Sequence, residues 1–279
     1  MDKKGTVKTG KKMKKGVKML IAAFMNIYIA IIMLFYTPGC NQTPVTPGTP
    51  GANDKYIVSK VERLQTMIVK LPENYNPSET YPVLFALHGN GGDAAGLASL
   101  FNEYSSAPVI IAVPQGLYTK YSGGYSWFFE TNDKDLWEAG DPLTVDNIIS
   151  HITELKSKYK IGKVYIFGFS QGASVAYMTG LKNPSAIRGI AAVGGSLPDI
   201  DVKGSIITSA EVNNAVNLKV FIARGTGDPV ASRESYDTQV EFFKTRNFPL
   251  TNFQYMGAHE LNNEILGRIF LWIEEDKNL

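Results

Sequence analysis

Short, almost wholly apolar runs recur along the chain after residue 80. The three clearest are Pro82–Leu87, Val109–Val113 and Val164–Phe169. Runs of five or six apolar residues between polar or turn-forming segments are typical of strands buried on both faces of a sheet. Weaker apolar runs predict three later strands at Ile187–Val193, Leu218–Ala223 and Asn252–Tyr255. Before all of these, Tyr56–Leu71 alternates polar and apolar residues and predicts one or two further strands.

Helical periodicity lies between the apolar runs. Asp141–Tyr159 carries apolar residues three and four positions apart, with Asp141 predicted as the N-cap and Pro142 as the first helical residue. Three further helices are predicted at Gln171–Leu181, Arg233–Lys244 and Glu260–Glu275. Because strands alternate with helices, the pattern predicts an α/β fold with a mainly parallel central sheet and helices on both faces.

The first 39 residues differ from the rest of the chain. A lysine-rich stretch precedes an apolar run at Met19–Tyr36, and Thr37-Pro38-Gly39-Cys40 follows. This order predicts a signal peptide or membrane anchor over residues 1–39. Cys40 resembles the lipid-modified cysteine of a bacterial lipoprotein; alternatively the run stays as an anchor, since about 20 residues span a bilayer. Both interpretations tether the domain to a membrane outside the cytoplasm, and the favoured one predicts an exported periplasmic or cell-surface lipoprotein of a bacterium.

Composition after this segment favours a tethered globular domain. Residues 40–54 are rich in Pro, Thr and Gly and predict an extended tether, so the folded domain is expected over residues 55–279. Eight lysines and one aspartate precede residue 40, so the net charge of +2 hides a net charge of −5 over the remainder. An acidic domain without a basic stripe excludes nucleic acid as a partner. The single cysteine excludes an internal disulfide.

A candidate nucleophile lies between a predicted strand and a predicted helix. Gly168-Phe169-Ser170-Gln171-Gly172 matches the pattern G-x-S-x-G. A sharp turn at this place exposes the serine hydroxyl above the sheet edge, and the flanking glycines are needed because a Cβ would clash across the turn. The helix that begins at Gln171 directs its positive end toward the site. Ser170 is therefore predicted as the nucleophile.

A serine hydroxyl needs a neighbouring base to take its proton, and only three histidines are available. In hydrolases with this nucleophile turn, the order along the chain is serine, acid, histidine. His88 and His151 precede Ser170, whereas His259 follows it, in a loop before the last predicted helix. His259 is therefore predicted as the base.

The acid that orients the base should follow a strand between the nucleophile and the histidine. Asp228 lies in a loop after the predicted strand Leu218–Ala223 and is the predicted partner of His259. Asp199 and Asp201 also lie in the interval, but they follow a different strand and are weaker candidates. An Asp in such a loop can alternatively serve only as a turn residue or helix cap.

Glycines after the first core strand predict an oxyanion hole. Pro82–Leu87 is followed by His88-Gly89-Asn90-Gly91-Gly92, a turn whose backbone can approach a substrate oxygen closely. The predicted donors to the oxyanion are the N–H groups of Asn90 and Gln171. His88 is predicted to be structural, because no acid is placed to orient it.

Several of these motifs occur in one order that is similar to a known family. They are His88-Gly89-Asn90-Gly91-Gly92, Pro114-Gln115-Gly116, Trp127-Phe128, Gly168–Ala173, Gly195–Pro198, Gly225–Val230 and His259. Over Tyr81–Glu275 the chain resembles the phospholipase/carboxylesterase family, which includes acyl-protein thioesterases. The resemblance implies an α/β-hydrolase fold and ester hydrolysis without a cofactor. It also implies a catalytic triad of Ser170, Asp228 and His259. The oxyanion donors that it implies are Asn90 and Gln171. No metal site is predicted.

Aromatic residues crowd the segment after Pro114-Gln115-Gly116. Trp127 and Phe128 are the candidate substrate-binding residues, although aromatic side chains in this segment can alternatively pack the loop onto the domain. The favoured function is a serine hydrolase of carboxylic esters or thioesters, with a small-molecule or polysaccharide-linked ester as substrate. The alternatives are an acetyl or feruloyl esterase acting on polysaccharides, a serine peptidase of the same fold, and a non-catalytic binding protein.

Overall fold

The computed structural model describes residues 65–129, 131 and 134–276. The predicted leader over residues 1–39, Cys40 and the predicted tether over residues 40–54 lie outside the described residues. Residues 55–64, at the predicted start of the domain, lie outside them as well. Every described residue belongs to one compact unit of the chain.

A mainly parallel sheet forms the centre of the described part. The strands are β1 (Met67–Lys70), β2 (Tyr81–Leu87), β3 (Ile110–Pro114), β4 (Tyr118–Thr119), β5 (Tyr125–Ser126), β6 (Ile161–Phe169), β7 (Gly189–Val193), β8 (Lys219–Gly225) and β9 (Leu250–Tyr255). The sheet order is β1-β3-β2-β6-β7-β8-β9, in which only β1 runs antiparallel to its neighbour. Strands β4 and β5 form a separate hairpin.

Helices cover both faces of this sheet. They are α1 (Ala94–Ser99), a 3₁₀ turn (Asn102–Tyr104), α2 (Lys134–Lys158), α3 (Gln171–Lys182), α4 (Ser209–Asn214), α5 (Arg233–Thr245) and α6 (Asn263–Glu275). Successive side chains of a strand point to opposite faces. Accordingly, Val83, Phe85 and Leu87 of β2 join a core with α2, α3 and α5, whereas Leu84 and Ala86 join a core with α1 and α6. The predicted parallel sheet with helices on both faces is confirmed.

Helix α2 begins earlier than the sequence pattern predicts. Its first residue is Lys134, so Asp141 lies within the helix and the prediction that Asp141 caps it is wrong. Pro142 is likewise an interior residue rather than the first one. An interior proline removes one helical hydrogen bond and crowds the carbonyl four residues earlier, at a cost of about 3 kcal/mol. Good helix formers precede it in the stretch 134–139, and the helix continues through Pro142.

Helix α6 begins later than predicted, and this difference positions the site. The Asn262 side chain accepts a hydrogen bond from Ile265 N–H at 3.1 Å and caps the helix, whose first residue is Asn263 rather than Glu260. His259 therefore lies in the loop between β9 and α6, where the sequence analysis expected it, and is separated from the first residue of the helix.

Candidate active site

Ser170 occupies a strained turn between β6 and α3. Its φ angle is 54°, a left-handed value that costs a non-glycine residue about 1–3 kcal/mol. The turn is tight enough to require the flanking glycines: a Cβ on Gly168 would lie 2.0 Å from the Gly172 carbonyl oxygen. A Cβ on Gly172 would lie 2.5 Å from the carbonyl oxygen of Leu87 on the neighbouring strand. This geometry presents the serine hydroxyl at the carboxyl edge of the sheet.

The structure brings Ser170, His259 and Asp228 into one hydrogen-bonded chain. Nε2 of His259 lies 2.9 Å from Oγ of Ser170. Nδ1 of His259 lies 2.8 Å from Oδ2 of Asp228. If the imidazole proton is on Nδ1, it is donated to the carboxylate, and Nε2 is left as the acceptor of the serine proton.

Asp228 is a buried carboxylate that takes part in three hydrogen bonds with the protein. Its side chain is fully buried, and Oδ1 accepts from Val230 N–H and Ala231 N–H, each at 2.8 Å. Burial by itself would raise the pKa of Asp228, but the bond to His259 and the two backbone amides outweigh it and hold the pKa below its ordinary value. The group therefore stays ionised beside the histidine.

Two glycines after β7, to which the sequence analysis assigned no role, make room for this arrangement. Gly194 has a φ of +62°, and a Cβ there would lie 3.3 Å from Cε1 of His259 and 3.4 Å from Oδ2 of Asp228. A Cβ on Gly195 would lie 2.4 Å from the Ser170 carbonyl oxygen. A pair of glycines directly after a buried strand is the sequence feature that indicates such a close approach.

The glycine-rich turn after β2 lies beside the nucleophile. Gly92 N–H donates to the Gly89 carbonyl at 3.0 Å and closes the turn, and a Cβ on Gly89 would lie 3.3 Å from Cβ of Ser170. Neither the Asn90 N–H nor the Gln171 N–H donates to an acceptor among the described residues. Two backbone N–H groups without an internal acceptor, beside the nucleophile turn, can donate hydrogen bonds to an anionic oxygen.

Trp127 and Phe128 are placed in the packing of the loop. Trp127 is fully buried, its Nε1–H donates to the His88 carbonyl at 2.8 Å, and its own carbonyl accepts from the Thr144 hydroxyl at 2.7 Å. Phe128 is 9% exposed. The indole of Trp127 therefore offers no surface to a substrate in this structure, as expected for the packing alternative. Two described aromatic side chains of this segment are exposed: Tyr121 lies fully in solvent, and Phe129 is 44% exposed.

Charged side chains near the triad form no obvious metal site. Within the described ranges, no group of three or more His, Cys, Asp or Glu side chains could hold a metal ion. The independence of the reaction from metals and cofactors remains a prediction.

The family follows from comparison with known sequences. The chain matches the family described as Phospholipase/Carboxylesterase over residues 75–275. It belongs to this family. Among curated relatives, acyl-protein thioesterase 1 of Mycosarcoma maydis is 29% identical over 203 residues, covering 65% of this chain and 82% of the relative. Acyl-protein thioesterase 1 of Yarrowia lipolytica is 26% identical over 221 residues, covering 71% and 93%.

Solved structures share the fold of this family member. Esterase PE8 superposes with a TM-score of 0.61 at 19% identity, covering 76% of this chain and 98% of that one. The Bacillus cereus carboxylesterase superposes with a TM-score of 0.60 at 20% identity, covering 76% and 94%. The predicted α/β-hydrolase fold is thereby confirmed, and the chain belongs to a hydrolase family of the carboxylesterase and acyl-protein-thioesterase kind.

The relatives contradict the prediction of an exported bacterial lipoprotein. The curated relatives are fungal acyl-protein thioesterases. Similarity to these proteins gives no support for a signal peptide or a lipid-modified cysteine. Within the described residues, no helix is long and apolar enough to cross a bilayer. The prediction depended on the composition of residues 1–40, and a lysine-rich stretch followed by an apolar run and a cysteine is a weak pattern.

Proposed function

We propose that this chain hydrolyses carboxylic esters or thioesters through an acyl-enzyme on Ser170. The observation that carries the proposal is the continuous chain of hydrogen bonds from Asp228 through His259 to Ser170, at 2.8 and 2.9 Å, on a strained nucleophile turn. The Ser170 oxygen attacks the carbonyl carbon while Nε2 of His259 takes the hydroxyl proton. The leaving alcohol or thiol takes that proton as its bond to the carbonyl carbon breaks.

A second attack regenerates the enzyme. Water gives a proton to Nε2 of His259 and attacks the acyl carbon, the bond to Ser170 breaks, and the serine oxygen takes the proton back. Asp228 stabilises the imidazolium in both halves, because its carboxylate stays ionised and accepts a hydrogen bond from Nδ1–H.

In both steps the substrate carbonyl oxygen gains negative charge, and Asn90 N–H and Gln171 N–H donate hydrogen bonds that stabilise it. Both donors lack a partner among the described residues, and Gln171 is the first residue of α3, where the helix dipole adds a favourable field. One donor of this kind is worth about 10²–10³ in turnover.

The names of the curated relatives favour acyl esters and thioesters as substrates. Acyl-protein thioesterases cleave thioesters, and the same serine chemistry hydrolyses oxygen esters. Phe129 adds an exposed aromatic surface, packed edge-on against Tyr118 at a centroid distance of 5.6 Å, which suits an acyl chain. Neither a polysaccharide-linked ester nor a peptide is favoured by these observations.

The test is a set of initial rates on p-nitrophenyl esters from acetate to palmitate and on an acyl thioester. Ser170→Ala should lower kcat by about 10⁵-fold or more, because the nucleophile is lost. Ser150→Ala is the matched control, since Ser150 is an exposed residue of α2 whose hydroxyl donates to the Asp146 carbonyl. It should leave the rates unchanged.

Labelling with a fluorophosphonate gives a second measurement that needs no substrate. The native chain and Ser150→Ala should be labelled, and Ser170→Ala should not. Equal rates in the native chain and Ser170→Ala, or labelling of Ser170→Ala, would overturn the proposal.

A further inference from the structure

His88 directly follows β2, is 2% exposed, and is held by hydrogen bonds at both ring nitrogens. Nε2 lies 3.0 Å from Gly116 N and 3.2 Å from Nε2 of Gln115, and Nδ1 lies 2.8 Å from the Gly89 carbonyl oxygen. Because a backbone N–H can only donate, Nε2 must be the acceptor. The ring proton therefore lies on Nδ1, where it is donated to the Gly89 carbonyl.

That carbonyl belongs to the peptide unit that carries the Asn90 N–H. In a planar trans peptide the C=O and the following N–H point in opposite directions. The Gly89 oxygen accepts from Nδ1 of His88 at 2.8 Å and from Gly92 N–H at 3.0 Å. Holding the oxygen on one side therefore holds the Asn90 N–H on the other.

The imidazole itself has little freedom to turn. Its ring lies 4.9 Å from the Trp127 ring, centroid to centroid, and a Cβ on Gly116 would lie 3.0 Å from Cε1 and Nε2. Burial lowers the pKa of His88 and outweighs the Gly89 bond and the charge of Asp93, which raise it. The ring is thus kept neutral, as an acceptor at Nε2 requires.

We propose that His88 is a positioning residue, a neutral imidazole protonated on Nδ1 that orients the Gly89–Asn90 peptide so that the Asn90 N–H faces the oxyanion. His88 touches neither the substrate nor the reacting atoms and acts only through Asn90. The proposal rests on the proposed function, because Asn90 has this role only if Ser170 forms an acyl-enzyme.

Two substitutions separate the hydrogen bond at Nδ1 from those at Nε2. In His88→Asn the side-chain amide nitrogen reaches about the position of Nδ1, and it should donate to the Gly89 carbonyl because two oxygens repel each other there. In His88→Gln the amide reaches about the position of Nε2, so it can accept from Gly116 N–H but cannot reach Gly89. His88→Asn therefore keeps the bond to Gly89 and loses the contacts at Nε2, and His88→Gln does the reverse.

His88→Gln should lower kcat on p-nitrophenyl butyrate by about 10²-fold, with KM within about twofold, because an oxyanion donor loses its orientation. His88→Asn should retain kcat to within about fivefold of the native chain at a comparable melting temperature. His151→Gln is the matched control: His151 is also a buried histidine, but it lies in α2 and bonds Gln65, and its replacement should leave kcat unchanged.

Equal falls of kcat in His88→Asn and His88→Gln would overturn the proposal. A histidine with only a structural role would lower kcat through lost stability, regardless of which ring nitrogen the new side chain replaces. Nitrogen-15 NMR of the histidine rings tests the tautomer without activity. The ring signals that are present in the native chain and absent from His88→Asn belong to His88. In the native chain they should show a protonated Nδ1 and an unprotonated Nε2, and a proton on Nε2 would refute the assignment. An inactive native chain would instead refute the proposed function.

Discussion

Replacing Asp228 with asparagine separates the charge of the carboxylate from its shape. Oδ1 accepts from Val230 N–H and Ala231 N–H, so in Asp228→Asn the amide oxygen must occupy this position, because an NH₂ group cannot accept. The amide NH₂ then faces Nδ1 of His259, which has to lose its proton to accept from it. The proton moves to Nε2, where it blocks removal of the Ser170 proton.

The expected loss of activity is large, and the expected loss of stability is small. A wrong histidine tautomer in a Ser-His-Asp triad lowers kcat by about 10⁴-fold, which corresponds to about 5.5 kcal/mol of activation free energy. The hydrogen bonds of Asp228 are all kept in the variant, although one partner loses its charge. The free energy of unfolding should therefore change by about 1 kcal/mol or less.

The assay is kcat on p-nitrophenyl butyrate together with urea unfolding of the same preparation. Asp199→Asn is the matched control, because Asp199 is an exposed carboxylate that follows β7 and was a weaker candidate for the same role. It should keep the native kcat. A loss of less than tenfold in Asp228→Asn, with Asp199→Asn equally affected, would refute the tautomer argument.

Two further predictions concern residues outside the triad. The fully buried Asp276 carboxylate accepts from Nε and Nη2 of Arg188 at 2.7 Å each, and Asp276→Asn should lower the free energy of unfolding at pH 7 by about 3 kcal/mol. Burial alone would raise the pKa of Asp276, but these bonds hold it far below its ordinary value. The stabilisation is thus present above about pH 4, the unfolded pKa, and is lost as the pH falls toward the folded pKa; urea titrations should show the native advantage shrinking below about pH 4. In Gly124→Ala the added Cβ would lie 2.0 Å from the Gly91 carbonyl oxygen. The substitution should displace the glycine-rich turn that carries the Asn90 N–H and lower kcat about tenfold. Gly123→Ala, at a φ of +93° but with open space around the added Cβ, should lose only about 1 kcal/mol of stability, and equal kcat values in the two variants would contradict this view.

The sequence by itself determined the parts of this hydrolase that depend on local patterns. Apolar runs predicted the buried strands, because burial on both faces removes polar positions. The G-x-S-x-G turn predicted where Ser170 lies, because only glycines fit two positions before and two positions after a serine in so tight a turn. Chain order, together with the scarcity of histidines, identified His259 as the candidate base. Composition was a poor guide for residues 1–40, where the predicted lipoprotein is contradicted by the relatives.

Only the tertiary structure decided which distant groups meet. Three aspartates lie between Ser170 and His259 in suitable loops, and the packing of β8 beside β7 brings Asp228 to within 2.8 Å of His259, whereas Asp201 accepts from Ser209. The burial of Trp127 was decided in the same way. Contacts of this kind join residues far apart in sequence, so no spacing along the chain encodes them.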